Sequence, residues 1–221
     1  MKNKTLREFV ESNEEKTNEV SEENLYSKNS LEQIKQKILS NMKCPLKDAA
    51  TNLVFGKGNP NAKIMFIGEA PGQKEDEQGI PFVGAAGREL DKLLNSINLK
   101  LDDIYIANIL KYRPPNNRDP TTEEIERHTP YLIEQIKVIK PTIIATLGNY
   151  STKFVLASFK VEDMKKIGGI TSLHGKKINM NIQGETFIVV PLYHPAAMLY
   201  KPALRKVLEE DFQVMQKIIE N

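Results

Sequence analysis

Four short apolar runs, KIMFIG (63–68), IYIANIL (104–110), TIIATLG (142–148) and FIVVPLYH (187–194), recur along the chain with stretches of helical periodicity between them. A short continuous apolar run reads as a strand covered on both faces, and strands separated by helices pair in parallel. The pattern predicts a three-layer α/β/α sandwich around a central four-stranded, mainly parallel sheet, with ligands received outside the carboxyl ends of its strands. Helices are predicted over 87–97, 123–139 (interrupted or started irregularly near Pro130), 149–157 and 202–219. Thr121 and Glu124 have the spacing of a capping box. HGKKINMNIQGETFIVV alternates and turns at QGE, which predicts a hairpin feeding the last strand.

Residues 1–29 hold five Lys/Arg against seven Glu and few apolar side chains, the composition of a flexible polar tail. From Ser30 onward Leu31, Ile34, Ile38 and Met42 fall at helical spacing and open a single domain over 30–221. No run reaches the roughly 18 apolar residues that cross a bilayer, and MKNKTLREFVESNEEK has no apolar signal-peptide core. A cytoplasmic protein without membrane contact is therefore expected, with a monomer as the default. The net charge of +2 gives no overall basic field; Lys201, Arg205 and Lys206, in a stretch free of acids, are either a local cationic strip or an ordinary solvated face. The one cysteine, Cys44, excludes an internal disulfide and an all-cysteine metal site built within one chain.

Three of the four strands run into unusual chemistry. The first ends in GEAPGQKEDEQGIPFVG (68–84), where closely spaced glycines let backbone approach a ligand. The second carries Asn108 inside an apolar strand, and an amide there needs partners for both its donor and its acceptor. The fourth runs into His194. Taken singly, Asn108 is a loop-bonding amide, His194 a satisfied core histidine and Phe82 a packing residue; the gathering of Glu69, Phe82, Asn108 and His194 at one sheet edge marks a candidate site.

GEAPGQKEDEQGIPFVGAAGRELDKLL, IYIANILKYRPPNNRDPTTEEI, IIATLG and VVPLYHPAAMLY together resemble the successive motifs of the family 4 uracil-DNA glycosylases, over residues 41–215. The resemblance implies a monofunctional enzyme that flips uracil out of DNA and hydrolyses its glycosidic bond, leaving an abasic site. It implies that Phe82 stacks on the flipped base and Asn108 reads its edge, with backbone from Gly68 through Ala70 to Gly72 lining the pocket. His194 would donate to uracil O2 and Glu69 would orient water or stabilise the cationic sugar. In family 1 an aspartate stands at the place of Ala70 and a tyrosine at that of Gly72, so the identity of the general base stays open. Met198 falls where relatives place an apolar wedge, and Lys201 and Arg205 would meet phosphates.

The resemblance also implies a departure. Relatives ligate a [4Fe-4S] cluster with four cysteines, and this chain has Asn41, Cys44, Tyr112 and His128 at those places. No cluster or other cofactor is expected, and a zinc site on Cys44 and His128 is short of ligands. The alternatives are a non-catalytic lesion-binding protein and a glycosylase for another deaminated base such as hypoxanthine.

Overall fold

The computed structural model describes the backbone of residues 6–182 and 184–220, with side chains described at residue 22 and from residue 24 onward in that range. Helix α1 (Leu6–Asn41) leads through α2 (Pro45–Ala49) to the short strand β1 (Lys57–Gly58) and to β2 (Ile64–Gly68). Two helices, α3 (Gln73–Gln78) and α4 (Ala85–Ser96), precede β3 (Ile104–Asn108), and α5 (Thr122–Ile139) precedes β4 (Ile143–Leu147). After α6 (Asn149–Leu156) and α7 (Ile170–Leu173) come the hairpin strands β5 (Ile178–Ile182) and β6 (Glu185–Leu192). The short α8 (Ala197–Tyr200) and α9 (Leu204–Glu220) close the chain.

The sheet order is β1-β3-β2-β4-β6-β5. The four expected strands are its parallel centre, and β1 and β5 add an antiparallel strand at each edge. The four-stranded expectation is thus extended to six: β5 is the first arm of the expected hairpin, whose turn residue 183 lies outside the described residues, and β1 is too short to show a pattern. Every residue of β2, β3 and β4 is buried, as continuous apolar runs require. Alternation along the strands sends Met65, Ile67, Tyr105, Ala107 and Ile144 to the face covered by α1, α5 and α6. Ile64, Phe66, Ile104, Ile106 and Ala145 go to the face covered by α4 and α9.

Leu31, Ile34, Ile38 and Met42 are all buried, as their spacing predicts. The helix they belong to begins earlier than Ser30, at Leu6, while residues 1–5 of the expected tail lie outside the described residues. The predicted break near Pro130 does not occur: α5 runs unbroken through it. Its N-terminus is fixed by the predicted capping box, Glu124 N–H donating to Thr121 Oγ1 at 3.2 Å and Thr121 N–H to Glu124 Oε2 at 2.9 Å. Among the described residues no helix is long and apolar enough to cross a membrane.

Candidate active site at the carboxyl edge of the sheet

Gly68 and Asn108 are register partners at the ends of adjacent strands, so whatever follows β2 and β3 leaves the sheet at one point. A cavity of about 390 Å³ opens there. Glu69, Ala70, Gly72, Phe82, Asn108 and His194, six of the sequence candidates, line it, and the backbone of Gly68 packs beneath it against Asn108 and Phe82. Pro71, Glu75, Ala86, Pro114, Asn117, Arg118 and Ala196 complete the wall.

Glycine at 68 is a steric requirement. A Cβ there would lie 2.3 Å from Asn108 Oδ1 and 3.0 Å from Phe82 Cζ. Asn108 is 2% exposed, and no protein group among the described residues hydrogen-bonds its carboxamide. The carboxamide lines the cavity, so its donor and acceptor are left for whatever enters it. The sequence suggested a loop partner as the bland alternative; the described residues supply none.

Phe82 is held in an uncommon conformation. Its φ of 53° puts a bulky residue in the left-handed region, at a cost of about 1–2 kcal/mol. Three contacts fix it there. Val83 and Gly84 N–H both donate to Glu75 Oε1, at 3.0 and 2.8 Å, and Lys57 Nζ donates to the Phe82 carbonyl at 3.3 Å. The turn also needs Gly87, where a Cβ would lie 2.0 Å from that same carbonyl. The ring so placed faces His194, with centroids 5.9 Å apart and planes 29° apart.

His194 follows β6 and its Nδ1 accepts the Ala196 N–H at 3.2 Å. Burial pushes its pKa down to about 4, against the opposing charge of Glu75, so the ring is neutral near pH 7. With Nδ1 occupied as an acceptor, the proton belongs on Nε2, which makes His194 a neutral donor. Burial pushes the Glu69 carboxyl above the usual carboxylate range, and the charge of Asp119 adds to the rise. Tyr150, in the first turn of α6, is pushed up to about 12 by burial and then by Glu69 and Asp119. Glu69 lines the cavity, and Asp119 and Tyr150 interact with it electrostatically. Nothing in the sequence marks Asp119, Tyr150 or Glu75: Asp119 reads as a solvated loop acid, and Glu75 on α3 and Tyr150 on α6 read as ordinary helix residues.

The basic segment after His194 mixes buried and exposed side chains. Met198 is 3% exposed and packs in the core with Leu208, Phe212 and Leu192. The exposed apolar residues beside it are Leu199 and Tyr200, at 45% and 83%. Lys201 is exposed. Arg205 reaches Glu89 at 2.9 Å, so its charge is shared with an acid on α4 before any phosphate is met.

At the four positions where a cluster would be ligated, Asn41 is exposed at the end of α1, whereas Cys44, Tyr112 and His128 are buried. Tyr112 and His128 meet edge to face, centroids 6.1 Å apart. His128 Nδ1 already accepts the Lys111 N–H at 2.8 Å. One thiol and one imidazole nitrogen are not the donor set of a [4Fe-4S] cluster, so these residues do not fit that group. Among the described residues no three His, Cys, Asp or Glu side chains are grouped to hold a metal ion.

Comparison with known proteins agrees with the geometry. Residues 55–219 match the uracil DNA glycosylase superfamily. The chain is 47% identical over 190 residues to a type-4 uracil-DNA glycosylase of Sulfurisphaera tokodaii, covering 86% of this chain and 84% of that protein. It is 46% identical over 184 residues to the type-4 enzyme of Archaeoglobus fulgidus, covering 83% and 90%. The Thermotoga maritima type-4 enzyme is 37% identical over 192 residues, covering 86% and 94%.

Proposed function

The chain belongs to the uracil DNA glycosylase superfamily, and we propose that the cavity at the carboxyl edge of its sheet is where it excises uracil. It is a hydrolytic glycosylase of DNA repair. The reaction breaks the bond between uracil N1 and the deoxyribose, adds water at the sugar carbon and leaves an abasic site.

The observation that carries the residue roles is the unpartnered Asn108 carboxamide beside the Phe82–His194 stack. The Phe82 ring stacks on the flipped base. Asn108 presents one donor and one acceptor, the complement of uracil O4 and N3–H; cytosine presents the reverse. As the glycosidic bond breaks, electron density moves onto the uracil ring, and the Nε2–H of neutral His194 is the donor for O2. A preorganised donor of this kind contributes about 3–4 kcal/mol. Glu69, ionised, holds the attacking water or balances the positive charge on the sugar. Lys201 and Arg205 contact the DNA backbone. The enzyme works without a [4Fe-4S] cluster, Tyr112 and His128 filling that volume instead.

Duplexes carrying a single target base, treated with alkali after incubation to cut abasic sites, test this. Cleavage at uracil by the parent, with large losses in Asn108→Ala and His194→Ala, is expected. Folded protein that binds uracil DNA without cutting it would mark a lesion binder, and faster release of hypoxanthine would reassign the base.

A further inference from the structure

Lys111, three residues beyond Asn108, is 0% exposed and belongs to no step of the reaction above. An amine in such a place is retained only where its hydrogens are matched. Its Nζ donates to the Asn108 carbonyl at 2.8 Å and to Gln135 Oε1 at 2.6 Å. Gln135 Nε2 donates in turn to the Phe55 carbonyl at 3.1 Å. The Lys111 backbone is fixed on both sides: Val54 N–H donates to its carbonyl at 2.8 Å, and its own N–H goes to His128 Nδ1 at 2.8 Å. A continuous set of hydrogen bonds thus runs from α5, through His128 and Gln135, to the last residue of β3.

The imidazole is needed for this and not merely for filling space. His128 is wholly buried, and its Nε2 has no partner among the described residues. Because Nδ1 accepts the Lys111 N–H, the neutral ring carries its proton on Nε2, and a buried donor is left unmatched at a cost to folding. A phenyl ring would occupy the same volume without that cost. What it would lack is the acceptor for Lys111.

We propose that His128 is a positioning residue for uracil recognition: by accepting the Lys111 N–H it fixes Lys111, whose side chain fixes the backbone of Asn108. The proposal rests on Asn108 being the base-reading residue. The position that relatives give to a metal ligand then serves here as a hydrogen-bond anchor for the base pocket.

The test is a double-mutant cycle on the full chain, with excess enzyme over a uracil duplex, at a temperature well below the lowest melting midpoint. His128→Phe should slow single-turnover excision about 2- to 30-fold. His128→Asn, whose side-chain oxygen can take the place of Nδ1, should recover most of that loss. In an Asn108→Ala background, followed over longer times, His128→Phe should add little, because the residue through which it acts is gone. The same loss in both backgrounds, or none in either, would overturn the proposal. Parental excision by Asn108→Ala alone would instead overturn the site reading beneath it. If His128→Phe does not fold, Lys111→Met takes its place in the cycle with the same expectation.

Discussion

Replacing Glu75 by alanine should release the Phe82 ring from the pocket. Glu75 Oε1 accepts two backbone N–H groups, from Val83 and Gly84, at 3.0 and 2.8 Å. Hydrogen bonds to a charged acceptor contribute about 1.5–3 kcal/mol each, and because Glu75 is partly exposed the low end applies, about 3 kcal/mol for the pair. The left-handed backbone of Phe82 opposes this with about 1–2 kcal/mol. The clamp exceeds the strain by a small margin. Without it the turn relaxes toward ordinary backbone angles, and the competent population falls about 5- to 30-fold. Glu75→Gln keeps an oxygen acceptor of the same reach with neutral bonds of about 1 kcal/mol each, near balance with the strain, so it should lose only a few-fold. Single-turnover excision of uracil and thermal midpoints for parent, Gln and Ala variants give the comparison. Equal losses in Gln and Ala would assign the effect to the charge of Glu75 beside His194, and an unchanged Ala variant would refute the clamp altogether.

Glu69→Gln should nearly abolish excision while raising the thermal midpoint near neutral pH. Burial holds the folded-state pKa of Glu69 above its ordinary value, so folding binds its proton more tightly, and stability falls as pH rises through the folded pKa. The midpoint gain of the Gln variant is therefore present above that pKa and vanishes below the ordinary carboxylate range, and the parent's excision rate should fall with acid through the same raised ionisation. Gly87→Ala places a Cβ 2.0 Å from the Phe82 carbonyl, so α4 and the Phe82 turn must separate. Overpacking of this kind costs about 1–3 kcal/mol, a midpoint loss of about 3–10 °C by calorimetry, together with slower excision.

The layered core was legible because apolar runs with period-2 alternation and intervening helices admit few arrangements, and Met65 and Phe66 do go to opposite faces. The capping box at Thr121 and the hairpin into β6 were legible from local chemistry alone. Strand β1 was not, since two residues ending in a glycine carry no period. Pro130 suggested a break that the helix does not make; packing of Ile125, Leu132 and Ile136 against the sheet carries α5 through it. The one-turn α8 folds Met198 inward and leaves its neighbours Leu199 and Tyr200 outside, a choice no periodicity over four residues records. Glu75 and Lys111 are the deeper cases. Charged residues beside glycine- and proline-rich loops read as solvated, and only the converging N–H groups around Glu75 and the carbonyl acceptors around Lys111 show that the fold uses their hydrogen-bonding capacity internally.

Uracil excision by protein of measured iron and sulfide content decides most directly whether a polar pocket at the sheet edge works without a cluster. Purified parent protein, with and without chelator, is assayed on a single-uracil duplex while iron, acid-labile sulfide and the visible spectrum are recorded. A colourless preparation with iron far below one atom per chain, cutting at uracil at the same rate with or without chelator, is the predicted result. A brown preparation holding about four irons per chain, whose excision is lost as the iron is stripped, would contradict it.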